Sequence, residues 1–303
     1  MTTTPVRIGL VGTGHWARTA HAAALSAHDG VDFTGVWGRD SAKTAALAEE
    51  YGVQAYPSFR AMLDSVDAVA FAVPPNVQAG YAIEAARAGK HLFLDKPTAL
   101  TVEDAAALAT ETAERDRASV VFFKWRFDPP TADFARRGAD GTWDYGRAVM
   151  RNDALAEGSP YAPSQWRHDE GGLWDVGPHA LSLLLPALGP VDAVSAVGSS
   201  HSTTTVLLHH RDGGASTMAL SLKTPREASE MEVVIAGESG SERLPDWGRT
   251  PVPAYHSALD ELLHQITTGE NRHGCDAAFG RDVVAVLSAA DEAARTGAVV
   301  SPA

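Results

Sequence analysis

The run Val6-Arg7-Ile8-Gly9-Leu10-Val11, leading directly into Gly12-Thr13-Gly14-His15-Trp16-Ala17, constrains this chain more than any other segment. An apolar stretch of strand length ends in the spacing G-x-G-x-x-A. In that spacing Gly12 permits a tight turn, Gly14 lets the backbone approach a pyrophosphate, and Ala17 lets the next helix pack closely on the strand. The helix start then offers free N–H groups and a positive dipole end to phosphates. Gly12, Thr13, Gly14, His15 and Trp16 are therefore the expected phosphate cradle. A glycine-rich turn of some other α/β protein is the plainer explanation. The context argues against it, because the triplet sits in a strand–helix–strand unit of about 30 residues.

The following residues keep the same alternation. Helix is expected over 15–27, strand over 32–37, and helix over 41–51 with Ser41 as its cap. An apolar strand follows at 67–73, a helix at 77–88 ended by Gly89, and a strand at 91–94. Thr101 with Asp104 resembles a capping box opening a helix to about 115, and a strand follows at 119–123. Strands separated by helices of this length imply right-handed crossovers and a doubly wound parallel sheet, the Rossmann arrangement.

Beyond about residue 124 the pattern changes. A short helix follows Pro129. The runs 147–151, 191–197, 204–209, 215–222 and 231–236 mostly alternate apolar and polar residues, as half-exposed antiparallel strands do. His210-Arg211-Asp212-Gly213-Gly214 reads as a hairpin turn. Two helical segments, 255–267 and 276–295, end the chain. The fold class is thus α/β. A dinucleotide-binding Rossmann domain is expected over 1–120. An α+β domain with a largely antiparallel open sheet is expected over 121–303, its C-terminal helix free to pack back on the first domain.

Composition narrows the partners. Net charge is −13, a poor match to nucleic acid or an acidic membrane surface. No apolar run approaches the roughly 20 residues of a membrane helix, and the start of the chain has no room for a signal-peptide core before the strand at Val6. One cysteine, Cys275, excludes an internal disulfide and fits a reducing compartment. A cytoplasmic location is the expectation. His201, His209, His210, His256, His264 and His273 show no spacing with Cys or acidic partners that would hold a metal, so no metal site is expected.

The second strand ends Trp37-Gly38-Arg39-Asp40-Ser41. NAD-selective sites usually place an acid here to accept the ribose 2′-hydroxyl. Gly38 occupies that place, and Arg39 and Ser41, with Lys43 nearby, can hold a 2′-phosphate. NADP is preferred on this basis. NAD stays open, because Arg39 can equally be a solvated surface charge and Asp40 can serve the ribose.

Several separated segments resemble one known family, that of glucose-fructose oxidoreductase, inositol dehydrogenase and rhizopine-catabolism proteins (Gfo/Idh/MocA). They are RIGLVGTGHWA at 7–17, AVPPN at 72–76, AGKHLFLDKP at 88–97, WRHDEGGLWDVGPH at 166–179, and the pattern from Ser257 through Gly269 to Gly297. The resemblance implies that Pro74, Asn76, Asp95 and Lys96 lie against the cofactor. It also implies that Lys96, of an Asp95-Lys96-Pro97 motif, touches the reacting oxygen, and that Asp175 and His179 complete the catalytic set. Asp95 stands where the family has Glu, Gln78 where a His is common, and Ser182 where an Asp is common. Arg126, Trp166 and Arg167 match recurring positions that line the substrate pocket or brace the domain.

The chemistry agrees with the resemblance. Oxidising an alcohol requires a hydride acceptor and a base for the hydroxyl proton. Histidine exchanges a proton near neutral pH, and an ammonium stabilises developing negative charge on oxygen. Asp175 and His179 share a face if both lie in the first turn of one helix, where Pro178 is tolerated. The expectation is an NAD(P)-dependent oxidoreductase of a sugar, polyol or related carbonyl compound, working as a homodimer or homotetramer on a small-molecule substrate. A non-catalytic dinucleotide-binding regulator has no need of Lys96 and His179. A hydrolase or epimerase using transient redox at a bound cofactor remains the other alternative.

Overall fold

The computed structural model describes residues 4–198, 203–248 and 250–302, so His201 lies outside the described residues. The chain forms two compact units. The first comprises Met1–Asp128 and Arg249–Arg281, the second Pro129–Gly248 and Asp282–Ala303. The expected boundary at residue 120 thus precedes the first crossing by a few residues, and the chain returns to the first unit over 249–281 before its end.

The first unit opens with β1 (Val6–Val11), a π-helical stretch Ala17–Ala22 continuing as α1 (Ala23–Ser26), β2 (Val31–Trp37), α2 (Ser41–Tyr51) and β3 (Gln54–Ala55). Then follow α3 (Phe59–Leu63), β4 (Ala68–Phe71), α4 (Pro75–Arg87), β5 (His91–Asp95), α5 (Val102–Glu114), β6 (Ser119–Phe122) and α6 (Lys124–Phe127). The strands form one parallel sheet in the order β3-β2-β1-β4-β5-β6. The sheet's interior is apolar because helices cover both faces. Every residue of β4 and β6 is buried, whereas β1 and β2 carry the exposed Arg7 and Asp32 near their starts and the edge strand β3 is exposed.

Two local expectations change. The helix after the fingerprint is π-wound over Ala17–Ala22, the wider winding often found at functional sites. The cap of α2 is Asp40, whose carboxylate accepts the Lys43 N–H at 3.1 Å, and Ser41 is the first helical residue. Both residue types cap well. Asp40 is the one with extended backbone (φ −97°, ψ 106°), which aims its side chain back at the helix start. Thr101 caps α5 as expected, accepting from Asp104 N at 3.2 Å.

The second unit contains α7 (Pro129–Asp140), β7 (Tyr145–Arg151), α8 (Gln165–Asp175), α9 (Gly177–Leu188), β8 (Val191–Gly198), β9 (Thr204–His210), β10 (Ala215–Ser221), a 3₁₀ turn Arg226–Ala228, β11 (Glu230–Gly237) and β12 (Gly240–Arg243). Its sheet has the order β12-β11-β7-β10-β9-β8. All neighbours are antiparallel except β7 and β10, which are parallel. Helix α9 covers β7, β10 and β11, seating Leu181, Leu184 and Leu188 in the core. On β9, His209 faces outward and His210 inward; the buried His210 ring meets Gly189 O and Ser216 Oγ, both at 2.8 Å.

The chain then re-enters the first unit as α10 (Val252–Thr268), which packs on β5, β6 and α6. It ends in α11 (Ala277–Thr296), whose sequence passes from the first unit to the second at residues 281–282. Among the described residues no helix is long and apolar enough to cross a membrane, and no group of three or more His, Cys, Asp or Glu gathers as metal ligands would.

Burial lowers the pKa of His21, His91, His210 and His273 below the ordinary histidine value. Unfolded histidine protonates near pH 6.5, so below that the unfolded chain binds protons the folded chain refuses. These groups contribute stability that is present above about pH 6.5 and is lost as pH falls. The melting temperature should drop between about pH 7.5 and 5.5, and His210→Gln should flatten that drop. A melting temperature that rises on acidification over this window contradicts the expectation.

Candidate cofactor and catalytic site

The C-terminal edge of the parallel sheet gathers most of the residues expected at a cofactor. β1 ends beside β2 and β4, with Val11 opposite both Trp37 and Phe71. The chain leaves β1 to one side and β4 to the other, the switch point where α/β sheets bind nucleotides. Gly12–Trp16 follow β1, Arg39 and Ser41 follow β2, Pro74 and Asn76 follow β4, and Asp95 and Lys96 close β5.

Gly12 has φ +125°, and a Cβ there would lie 2.4 Å from the Ala72 carbonyl oxygen. It is glycine for both conformation and space. Gly14 is different, because apart from its own chain neighbours no protein atom lies within 4 Å of where its Cβ would project. That open space beside the helix start is what a pyrophosphate needs, and these residues fit a dinucleotide. Ala17 is wholly buried, letting the helix close onto the sheet.

At the end of β2 a cavity of about 400 Å³ is lined by Gly38, Arg39, Ser41, Thr44, Tyr56 and Ser58. A side chain at Gly38 would press on Thr13 Cγ2 at 2.8 Å and Thr44 Oγ1 at 3.1 Å. The position of the usual ribose-binding acid is thus occupied by a glycine crowded by Thr13 and Thr44. Asp40, the alternative acid, is engaged by its cap bond to Lys43 N and lies 3.7 Å from the Lys43 ammonium. Tyr56 and Ser58 join the cavity from the loop after β3, which nothing in the sequence pattern had marked.

Lys96 is half-buried in a turn whose Lys96–Pro97 peptide is cis. Gln78, wholly buried on α4, holds that turn. Its oxygen accepts Asp95 N at 2.9 Å, and its amide nitrogen reaches the carbonyls of Asp95 (2.8 Å), Pro97 (3.2 Å) and Thr98 (3.3 Å). Asp95 Oδ1 accepts the Lys96 N–H at 2.8 Å. On its other side the Asp95 carboxylate faces the His21 ring at 3.8 Å; burial is the largest influence on it and acts to raise its pKa, but the neighbouring His21 ring, the Lys96 charge and the Lys96 N–H together hold that pKa below the ordinary carboxylate value.

The second unit carries Asp175 and His179. They do not share the first turn of one helix. Asp175 ends α8, Val176 is the junction, and His179 lies in the first turn of α9. Gly171 (φ +67°, ψ −160°) interrupts α8, so the last turn before the junction is Gly172–Asp175. The buried Asp175 carboxylate is paired with Arg167 at 3.1 Å. Arg167 is held over the rings of Trp166 and Tyr161, 4.6 Å from each centroid. Trp166 and Arg167 thus fix Asp175. Ser182, where an Asp was expected by resemblance, donates to His179 O at 2.8 Å. Arg126 belongs to the first unit, where it donates to His273 O at 2.6 Å and lies over the Phe279 ring, a bracing position.

A parallel sheet in this strand order, with a glycine turn fitted to a pyrophosphate, defines the class: a dinucleotide-binding Rossmann protein. Residues 6–123 match the family described as "Oxidoreductase family, NAD-binding Rossmann fold", and residues 132–243 match the GFO/IDH/MocA C-terminal domain. The chain belongs to the GFO/IDH/MocA family. It is 29% identical over 234 residues to UDP-N-acetylglucosamine 3-dehydrogenase of Acidithiobacillus ferrooxidans, covering 75% of this chain and 71% of that one. It is 25% identical over 299 residues to D-xylose 1-dehydrogenase (NADP(+)) 2 of Haloferax volcanii, covering 86% and 89%. The apo scyllo-inositol dehydrogenase of Lactobacillus casei shares the fold, with TM-score 0.85, 18% identity and 99% of each chain covered.

The two glycines should separate experimentally. Gly12→Ala should lower the melting temperature, since its Cβ meets fixed backbone. Gly14→Val should leave the melting temperature of the cofactor-free protein nearly unchanged and weaken NADPH binding at least about tenfold, the equivalent of about 1.4 kcal/mol. Equal effects on stability, or NADPH binding untouched by Gly14→Val, would contradict the assignment.

Proposed function

We propose that this protein is an NADP(H)-preferring oxidoreductase that interconverts an alcohol and a carbonyl on a sugar, polyol or related small molecule. The cavity at the end of β2 carries the cofactor preference. Gly38 stands in place of the usual acid, and Arg39 and Ser41 line the space where a 2′-phosphate would lie. A relative named for NADP(+) supports it. The substrate class rests on the names of the relatives, which act on a nucleotide sugar and a pentose.

The nicotinamide, when bound, accepts or supplies the hydride. Lys96, held in its turn by Gln78, presents an ammonium that lowers the pKa of a substrate hydroxyl and stabilises the oxygen as it gains charge. His179 takes the hydroxyl proton in oxidation and returns it in reduction. Asp175, fixed by Arg167, orients a substrate hydroxyl. Gly12–Trp16, Pro74, Asn76 and Asp95 hold the cofactor, and Trp166, Arg167 and Arg126 bound the substrate or brace the elements that do. A cytoplasmic location fits the lone cysteine, Cys275, which is buried and whose thiol burial pushes up to about 11.

We further propose that the second unit's sheet forms a subunit interface in a homodimer or homotetramer. Tyr145, Val197 and Leu207, three of the exposed large apolar side chains, all stand on its strands. Light scattering at micromolar concentration should show a dimer or tetramer; a monomer would refute this.

Fluorescence titration should give tighter binding of NADPH than NADH. Arg39→Ala should remove about ten- to hundredfold of that preference, as hydrogen bonds to a charged group are worth about 1.5–3 kcal/mol. Equal affinities in the unmodified protein would overturn the preference. Once a substrate is found by screening polyols, aldoses and keto-sugars, Lys96→Ala and His179→Ala should each lower kcat/KM by about 10² to 10⁴. Cofactor affinity should hardly change. Losses below about tenfold in both variants would show that the catalytic assignment is wrong, even with the Rossmann fold intact.

A further inference from the structure

His21 is not one of the fingerprint residues, yet it is fully buried next to them, its ring edge-on to that of Trp16 at 6.4 Å between centroids. It sits on the π-helical stretch after Gly12–Ala17. Its Nδ1 is hydrogen-bonded to the Tyr255 hydroxyl, delivered by α10 from far along the chain. Its Nε2 is buried, makes no hydrogen bond, and lies 3.8 Å from Asp95 Oδ2. The other oxygen of Asp95 accepts the Lys96 N–H. The groups therefore form a line: Tyr255 hydroxyl, His21 ring, Asp95 carboxylate, Lys96 backbone.

The tautomer of His21 follows from its neighbours. Tyr255 is wholly buried among Phe93 (centroids 4.6 Å, stacked), Phe122 (4.6 Å) and the His21 ring itself (4.6 Å, edge-on). A hydroxyl in such surroundings needs an acceptor, and Nδ1 is the one in reach. Nδ1 must then be unprotonated, which places the ring proton on Nε2. A bare Nε2 would turn a lone pair toward a carboxylate oxygen, whereas Nε2–H turns a positive end toward it. Both contacts select the same form, as when the second nitrogen of a ligating histidine is fixed by an outer partner. Burial, which disfavours the imidazolium, keeps the ring neutral.

We propose that His21, locked as its Nε2–H tautomer by Tyr255, is a positioning residue that steers the Asp95 carboxylate and through it the backbone of Lys96. Here the family's glutamate is replaced by the shorter Asp95. His21 fills the depth behind that carboxylate, and Gln78 holds the same turn from the α4 side. The proposal rests on Lys96 acting at the reacting oxygen only for its effect on turnover. The placement of the turn itself is independent of that reading.

Two conservative variants separate steering from bulk packing. His21→Gln puts an amide N–H near the place of Nε2 and loses the Tyr255 acceptor, whereas His21→Asn keeps a group near Nδ1 and loses the donor toward Asp95. In the full-length protein, two-bond ¹H–¹⁵N imidazole spectra should show His21 as neutral Nε2–H from about pH 8 to 5.5, covering the range about the ordinary histidine pKa of about 6.5. Tyr255→Phe, which keeps the stacked ring, should let the Nδ1–H form appear. The Lys96 backbone amide resonance, and the rate at which acetic anhydride acetylates Lys96 relative to Lys43, should move in His21→Asn and stay near the unmodified values in His21→Gln. Turnover should follow, with kcat/KM falling about tenfold in His21→Asn while NADPH binding holds. An Nδ1–H or imidazolium His21 near neutral pH, or equal displacement of Lys96 by the two variants, overturns the proposal. Should Lys96→Ala leave turnover intact while His21→Asn still moves the Lys96 amide, the catalytic reading of Lys96 fails and the positioning network stands.

Discussion

The first unit depends on the burial of one polar group, the Tyr255 hydroxyl. Aromatic packing brings Tyr255 against Phe93 of β5 and Phe122 of β6, closing the face of the sheet behind the end of β5. A phenol there contributes a large apolar surface, but its oxygen must be satisfied or the packing gain is offset by desolvation. The partner is carried by the first helix: it is the His21 ring nitrogen. One contact thus binds the fingerprint helix, the sheet and a helix from the far end of the chain.

The same logic repeats on a smaller scale around Lys96. Peptide groups at a turn off the end of a buried strand have lost their ladder partners and need others. Gln78 answers for the carbonyls of Asp95, Pro97 and Thr98 and for Asp95 N, while the Asp95 side chain answers for Lys96 N. The turn is therefore held by side chains on both flanks. In the second unit Arg167 does the equivalent for Asp175, and the rings of Trp166 and Tyr161 hold the guanidinium in turn.

Much of the fold was legible because its signals are local. Strands buried on both faces appear as unbroken apolar runs, and Gly12, Gly14 and Ala17 have spatial requirements that the spacing itself expresses. The misreadings are also local, and each has a physical cause. Asp40 and Ser41 are adjacent and both able to cap, so only backbone geometry decides between them. Asp175 and His179 have helical spacing, but the two helices meet at Val176 and the spacing straddles the junction. What the sequence could not carry is long-range pairing. Nothing about Tyr255 or His21 alone shows that they meet, and Gln78 looked like a departure until its amide was seen to bridge the turn. The roles of Lys96, Asp175 and His179 are chemical, and no periodicity expresses them.

The division of the chain has a consequence for inheritance. Neither unit is a continuous stretch of sequence, since the first is interrupted by residues 129–248 and the second by 249–281. A recombination event that exchanged everything after residue 128 would carry away α10, and with it Tyr255, the partner His21 requires. Shuffling at the obvious boundary would leave a Rossmann half with a hole in its sheet face and a histidine without its phenol. The cofactor half and the rest of this chain can therefore diversify by point substitution more readily than by exchange of whole segments.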